Sequence, residues 1–286
     1  MRTTTAGSGR VWFITGAGRG LGRAFTRAAL GNGDRVVAAT RTVAPLDDLA
    51  AEHGDTLLVL PLDVTDRAAV FAAVDRATER FGRLDVVVNN AGIMSMGMIE
   101  EFTEAEARAQ METNFFGALW VSQAVLPCLR AQGSGHIVQI SSIGALGGFP
   151  TTGLYSASKF ALEGMSEALA MEAARFGVKL TIVEPGGYWT DLYTSMTATT
   201  PIPGYGPLRA ELEKQWAEGS VDSDPRLAAE AVLKLVGSDE PPLRLLLGGT
   251  AYDLAFGVSR QRMDTWARWE EVSRAAEHAV PAPPAR

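Results

Sequence analysis

The segment Val11-Trp-Phe-Ile-Thr15 runs directly into Gly16-Ala-Gly-Arg-Gly-Leu-Gly22, which puts four glycines in seven positions. The first part reads as a short buried strand and the second as a tight turn. Leu21 to Leu30 then continues with helical spacing. Strand, turn and helix in this order open an alternation that runs on through the chain.

Arg35–Thr40, Thr56–Leu60, Leu84–Val88, Ile137–Ser141, Val178–Val183 and Leu243–Leu247 read as six further strands. Helices are expected over Pro45–His53 and over Arg67–Phe81, the latter capped by Asp66. Another starts at the Thr103-x-x-Glu106 capping box and runs to Arg130, with Pro127 ending or kinking it. Three more are expected over Tyr155–Phe176, Arg226–Val236 and Tyr252–His278. Strands alternating with helices give an α/β fold: one domain, with a seven-stranded parallel sheet covered on both faces. Residues 1–9 read as a short extension and 10–250 as the body. Residues 251–280 read as a C-terminal helical extension of the same domain, and 281–286 as a disordered tail. Residues 188–224 show no clear periodicity and are expected to form a lid over the substrate. Their aromatic content disfavours disorder.

The totals exclude several functions. Net charge is −7, with 26 basic residues scattered among 33 acidic ones, so no basic patch is available for nucleic acid or an anionic membrane. The single Cys128 forbids an internal disulfide and suits a reducing compartment. His53, His136 and His278 lack metal-ligand spacing, and no metal site is expected. The first ten residues lack the apolar core of a signal peptide. The longest apolar run, Phe115–Leu129, is short for a membrane span. The cytoplasm is therefore the default location.

In such a sheet, ligands bind at the carboxyl ends of the strands. The glycine turn, Asn89-Asn-Ala-Gly92, Ser142 and Pro185-Gly-Gly187 all follow strands directly. The glycine turn suits a diphosphate, because the backbone can approach it and the helix start supplies N–H donors. It is not a Walker loop, since no Lys-Ser or Lys-Thr follows, and G-x-G-x-x-G is not met. What is met is T-G-x-x-x-G-x-G. Farther on, Tyr155 and Lys159 stand four residues apart, one helical turn, on one face. An ammonium about 4 Å from the phenol is worth about 4 kcal/mol at an effective dielectric of about 20. That would lower the Tyr155 pKa by roughly three units, into the range of a working acid or base.

Thr15–Gly22, Asp63-Val64, Asn89–Gly92, Asn114, Ser142, Tyr155-x-x-x-Lys159 and Pro185-Gly186 with Thr190 resemble, in order and spacing, the short-chain dehydrogenase/reductase family. The likeness covers about residues 10 to 250 and implies a Rossmann fold. It implies that Tyr155 is the acid in carbonyl reduction, or the base in the reverse direction. Lys159 would lower its pKa and hold the nicotinamide ribose. Ser142 would bond the substrate oxygen; it is preferred to Ser141 because members place a serine thirteen residues before the tyrosine. Asn114 would hold a water leading protons to Lys159. Thr15, Gly16, Gly18, Arg19, Gly20, Leu21 and Gly22 would form the diphosphate turn. Asp63 and Val64 would meet the adenine, although Asp63 reads equally well as a loop residue or helix cap. Asn90, Ala91 and Gly92 would shape the adenosine side. Thr190, with Pro185 and Gly186 before it, would fix the carboxamide.

The second strand ends Ala39-Thr40-Arg41 with no acid at its tip. An acid there would bond a ribose 2′-hydroxyl, whereas Arg accepts a 2′-phosphate. Thr40, Arg41 and Arg19 therefore point to NADP(H) rather than NAD(H). Asp34 lies at the other end of that strand. Met94, Met96, Leu146 and Phe149, with Tyr188, Trp189, Tyr193 and Met196, are expected to wall an apolar pocket. No Arg or Lys falls between Tyr188 and Pro207 to clamp an anion. The expected substrate is an uncharged, largely apolar ketone or secondary alcohol. A non-catalytic NADP(H)-binding sensor or scaffold is the competing reading. A Ser142 hydrolase lacks the G-x-S-x-G elbow. Small residues on two long helices (Ala118, Ala161, Gly164, Ala168) point to a homodimer or homotetramer.

Overall fold

A computed structural model describes residues 9–190, 192, 195–219 and 222–278. Its strands are β1 Val11–Thr15, β2 Arg35–Thr40, β3 Leu57–Pro61, β4 Val86–Asn89, β5 Ser95–Met96, β6 Gly135–Ile140, β7 Val178–Pro185, β8 Thr197–Ala198 and β9 Arg244–Leu247. Seven of them form one sheet in the order β3-β2-β1-β4-β6-β7-β9, parallel throughout. The order reverses between β1 and β4, which opens a crevice at their carboxyl ends.

The strands are apolar runs because both faces are covered. Side chains alternate across the sheet. Val11 and Phe13 enter one core with Val70, Val74, Val121, Val125 and Leu129. Trp12 and Ile14 enter the other with Phe25, Leu46, Leu49 and Val232.

The helices are α1 Gly20–Gly31, α2 Asp47–His53, α3 Arg67–Phe81, α4 Glu104–Met111, α5 Gly117–Gln132, α6 Gly153–Ala174, α7 Gly206–Gly219, α8 Pro225–Val236, α9 Gly249–Arg268 and α10 Glu270–Ala275. Asp66 caps α3 by accepting the Ala69 N–H at 2.9 Å, and Thr103 and Glu106 close the expected box on α4. Asp34 accepts from the Arg10 N–H and the Trp12 indole, both at 2.9 Å, at the amino end of β1.

Four expectations change. The helix expected over residues 103–130 is interrupted by a wide π turn, Glu112–Phe116, between α4 and α5. Pro127 lies inside α5, which runs on to Gln132. The last helix is two, separated at Trp269. The stretch read as irregular between Tyr188 and Asp224 contains β8, paired parallel with β5, and the fourteen-residue α7. Its signal was present: Pro207 sits in the first turn, where its missing N–H costs nothing. Leu208, Leu212 and Trp216 then follow at four-residue spacing. The tail read at 281–286 and nearly all of the 1–9 extension lie outside the described residues. Among the described residues no helix is long and apolar enough to cross a membrane.

Candidate active site

The end of β1 is locked to the end of β4. Thr15 Oγ1 donates to the Val88 carbonyl at 3.3 Å and accepts from the Asn90 and Ala91 N–H groups at 3.0 and 3.1 Å. Asn90 Nδ2 donates back to the carbonyls of Thr15 (3.0 Å) and Gly16 (3.3 Å). This holds the glycine turn open at the crevice. A Cβ on Gly22 would lie 2.2 Å from the Gly16 carbonyl oxygen, and one on Gly18 would lie 2.8 Å from Thr40 Oγ1. The turn is therefore built by close backbone approach as well as by conformation.

A cleft of about 1160 Å³ runs along this edge. Gly16, Gly18, Arg19, Gly20 and Leu21 form its first wall. Thr40, Arg41, Asp63 and Val64 follow from the ends of β2 and β3, and Asn90, Ala91 and Gly92 from β4. Pro185, Gly186 and Thr190 close the far side. Thr15, Gly22 and Asn114 stand behind this lining and shape it. Arg19 and Arg41 are exposed. Burial works against ionisation of Asp63, but hydrogen bonds from Thr65 and the charge of Arg41 hold it below the usual carboxylate range. Asp63 Oδ1 accepts from both the N–H (3.0 Å) and the hydroxyl (2.8 Å) of Thr65.

Deeper in the cleft stand Ser142, Tyr155 and Lys159. Ser142 follows β6, and its Oγ accepts the Gly144 N–H at 3.0 Å. A Cβ on Gly144 would lie 3.1 Å from the Tyr155 ring, so the glycine leaves room for that ring. Ser142 hydrogen-bonds the phenol, whereas the Ser141 hydroxyl is turned away and donates to Glu163. Lys159 donates to the Ile140 carbonyl at 2.8 Å. Asn114, on the π turn, grips the Ile93 backbone from both sides. Its Oδ1 accepts the Ile93 N–H at 2.9 Å, and its Nδ2 donates to the Ile93 carbonyl and to Ser158 Oγ, both at 3.0 Å. A π turn frequently marks a functional site. A Cβ on Gly92 would lie 3.4 Å from Asn114 Oδ1 and 3.8 Å from Lys159 Nζ, so the two side chains meet over that glycine.

The electrostatics differ from expectation at Tyr155. Burial pushes its phenol above the usual value, and only the Ser142 bond works the other way. Lys159 shares the same dry pocket and is itself pushed down to about 8 by burial, with Glu163 opposing. Desolvation of a phenolate therefore outweighs the neighbouring ammonium, which is bonded to Ile140. The phenol keeps its proton at neutral pH.

Of the expected apolar wall, Met94, Met96, Phe149, Tyr188 and Met196 line the cleft. Two residues do not. The short turn Ile143–Ala145 carries Leu146 toward α9, whose Arg262 donates to the Leu146 carbonyl at 2.7 Å. Trp189 is 71 % exposed, because it follows the inward Tyr188 on an extended backbone bridged to Ser223. Tyr193 lies outside the described residues. Leu212 and Trp216 of α7 and Leu254 of α9 also line it, together with the polar Gln215, Asp222 and Thr250. The spacing of Leu212 and Trp216 was readable once α7 is recognised. Nothing in the sequence brought Leu254 to the site. Among the described residues no group of three or more His, Cys, Asp or Glu could hold a metal ion.

A family model described as short chain dehydrogenase matches residues 10–201. The chain is 42 % identical to an oxidoreductase of Botryotinia fuckeliana (BOA17) over 273 residues, covering 93 % of this chain and 99 % of that one. A solved short-chain dehydrogenase from Streptomyces avermitilis superposes with a TM-score of 0.88 at 39 % identity, covering 95 % of this chain and 100 % of that one. A short chain dehydrogenase from Burkholderia cenocepacia, solved with NADP, gives 0.72 at 30 % identity, covering 91 % and 97 %. The glycine cradle at the sheet reversal, the buried Tyr155 and Lys159 beside it and these likenesses converge: the chain belongs to the short chain dehydrogenase family, oxidoreductases that work with a nicotinamide dinucleotide.

Proposed function

We propose that the protein is an NADP(H)-dependent carbonyl reductase acting on an uncharged, largely apolar ketone, the reverse direction being oxidation of the secondary alcohol. The observation that carries this reading is the meeting of Ser142, Tyr155 and Lys159 in one cleft, with Asn114 behind Gly92. The cradle fits a dinucleotide, since Gly16, Gly18 and Gly20 line the cleft without side chains at the start of α1, where backbone N–H groups favour a diphosphate. Arg19 and Arg41 at the adenosine end favour a 2′-phosphate. NADPH, when bound, supplies the hydride. The chain supplies the rest. Ser142 orients the carbonyl oxygen, and Tyr155, kept protonated by burial, gives that oxygen its proton. Lys159 would hold the ribose hydroxyls and restore the proton to Tyr155. Asn114, fixed against the Ile93 backbone, would hold a water leading protons to Lys159. Met94, Met96, Phe149, Met196 and Leu212 exclude water from the reacting carbon. The protein is expected to work as a homodimer or homotetramer in the cytoplasm.

The test is a screen of ring and open-chain ketones with NADPH and NADH, followed at the nicotinamide absorbance. Turnover of apolar ketones with NADPH supports the reading. Tight NADPH binding without turnover of any carbonyl would instead make the protein a non-catalytic NADP(H) sensor or scaffold.

A further inference from the structure

A second cavity of about 130 Å³ opens beside the main cleft. Met96, Met196, Leu212 and Trp216 line both, so the two cavities share an apolar wall. Thr151 and Arg209 line the second cavity only. Each brings a buried polar atom that has no hydrogen bond, Thr151 Oγ1 and Arg209 Nε. Thr151 is itself 5 % exposed and holds φ at +66°, a left-handed backbone unusual for a β-branched residue. Buried polar groups normally find partners; both orphans are closed to water here, so an incoming oxygen would reach them through a small shift of the side chains that line the cavity.

The chemistry of that group follows from what Arg209 already does. Its Nη2 pairs with Glu101, whose side chain is fully buried. Glu101 also accepts the Thr199 hydroxyl (2.7 Å) and the N–H groups of Met98 (2.8 Å) and Ile202 (2.9 Å). The guanidinium charge is thus balanced, and Glu213 adds a further negative charge at the rim. An anion would be repelled there. What remains is an Nε–H that can only donate and a hydroxyl free to donate. The volume is that of about four water-sized groups.

We propose that this cavity is a second substrate subsite. It takes a neutral oxygen acceptor, such as an ether, ester or ketone oxygen, carried on a short arm away from the reacting carbonyl. Thr151 and Arg209 are its donors. The inference rests on the ketone reading above and adds to it: the substrate is bifunctional, apolar through its middle and oxygenated at its far end.

The test compares two cyclohexanones of equal length, one bearing a butyl arm and one a methoxyethyl arm, so that one oxygen replaces one methylene. Binding is measured by calorimetry on the NADP⁺-loaded enzyme, where no turnover occurs. The unmodified protein should bind the ether about five- to tenfold more tightly than the butyl ketone, the scale of one net hydrogen bond. Thr151→Val should erase that preference without changing the affinity for the butyl ketone, and Thr151→Ser should retain it. Equal affinities in the unmodified protein, or a Thr151→Val loss shared by both ketones, overturns the subsite. Turnover with NADPH is read separately. A retained ether preference without reduction of either ketone leaves the subsite standing and sinks the reductase reading.

Discussion

The Lys159 ammonium lies 5.7 Å from the centre of the Tyr155 ring and spends one of its protons on the Ile140 carbonyl. The pair is close but not in contact, and both groups are dry. Each is pushed toward its neutral form: the phenol up, the amine down to about 8. That arrangement suits a proton donor. A neutral phenol at working pH is ready to protonate a carbonyl, which is why reduction is the proposed direction.

The first prediction is a pH profile. The Lys159 ammonium is present below about pH 8 and lost above it. If it restores the proton to Tyr155, kcat/KM for ketone reduction should be level below that value and fall above it. A profile that stays level past the ordinary lysine pKa, about 10.4, would remove Lys159 from proton transfer.

Tyr155→Phe deletes the phenol whose ionisation Ser142 favours. Turnover should drop roughly 10²–10⁴-fold, while NADPH titration should stay nearly unchanged. Steady-state rates close to the original would mean that another acid serves.

NADPH should bind at least about tenfold more tightly than NADH, about 1.4 kcal/mol. Thr40→Asp combined with Arg41→Ala should reverse the order, because the new carboxylate would meet a 2′-hydroxyl and repel a 2′-phosphate. Superimposable titrations of both cofactors on the unmodified protein would refute the preference.

Glu101 ties α7 and the β8 segment to the body. The Arg209 guanidinium beside it holds its carboxyl down to about 2, against the cost of burial. Because that pKa is depressed, the tie contributes fully above about pH 4.5 and is lost as pH falls toward 2. Glu101→Ala should speed hydrogen exchange over Thr197–Gly219 and raise KM, leaving the sheet protected. Exchange unchanged in that region would show that α7 is held by its apolar face alone.

Assembly is the fifth prediction. Phe160 and Met171 on α6, and Phe176 just beyond it, are exposed at 40 %, 73 % and 46 %. Sedimentation should give a dimer or tetramer, and replacing Met171 and Phe176 with charged residues should shift it toward the 30.4 kDa monomer. A monomer at micromolar concentration in the unmodified protein would refute self-association.

The strands and the edge that collects the site were legible because both rest on local signals. Apolar runs bounded by turn residues mark β1 to β4, β6, β7 and β9, and the order of the motifs fixes which edge they share. What stayed hidden depends on solvent exclusion and on direction. The rise of the Tyr155 pKa needs the burial of its pocket, which spacing to Lys159 cannot reveal. Leu146 and Trp189 look like pocket residues by type, but one is drawn toward α9 and the other is set outward by the pleat. Helix α7 was masked by Pro201 and Pro203 before it and by Pro207 in its first turn, although its Leu208-Leu212-Trp216 face was in plain view. Thr151 and Arg209 carried no sequence signal, since neither residue type nor spacing marks an unpaired donor.

The wide turn at Glu112–Phe116 has a consequence for descent. Successive residues of a regular helix advance by about 100°, so one deletion in the turn would mend the helix while rotating everything before it against everything after. Upstream, Gln110 holds the Ile93 carbonyl at 2.8 Å and the Ser95 N–H at 2.9 Å. Downstream, Val121, Val125 and Leu129 are sealed in the core. Mending the helix would tear one side or the other from its place. A lineage carrying this extra residue cannot shed it in one step, even though the repaired helix would be the better one in isolation.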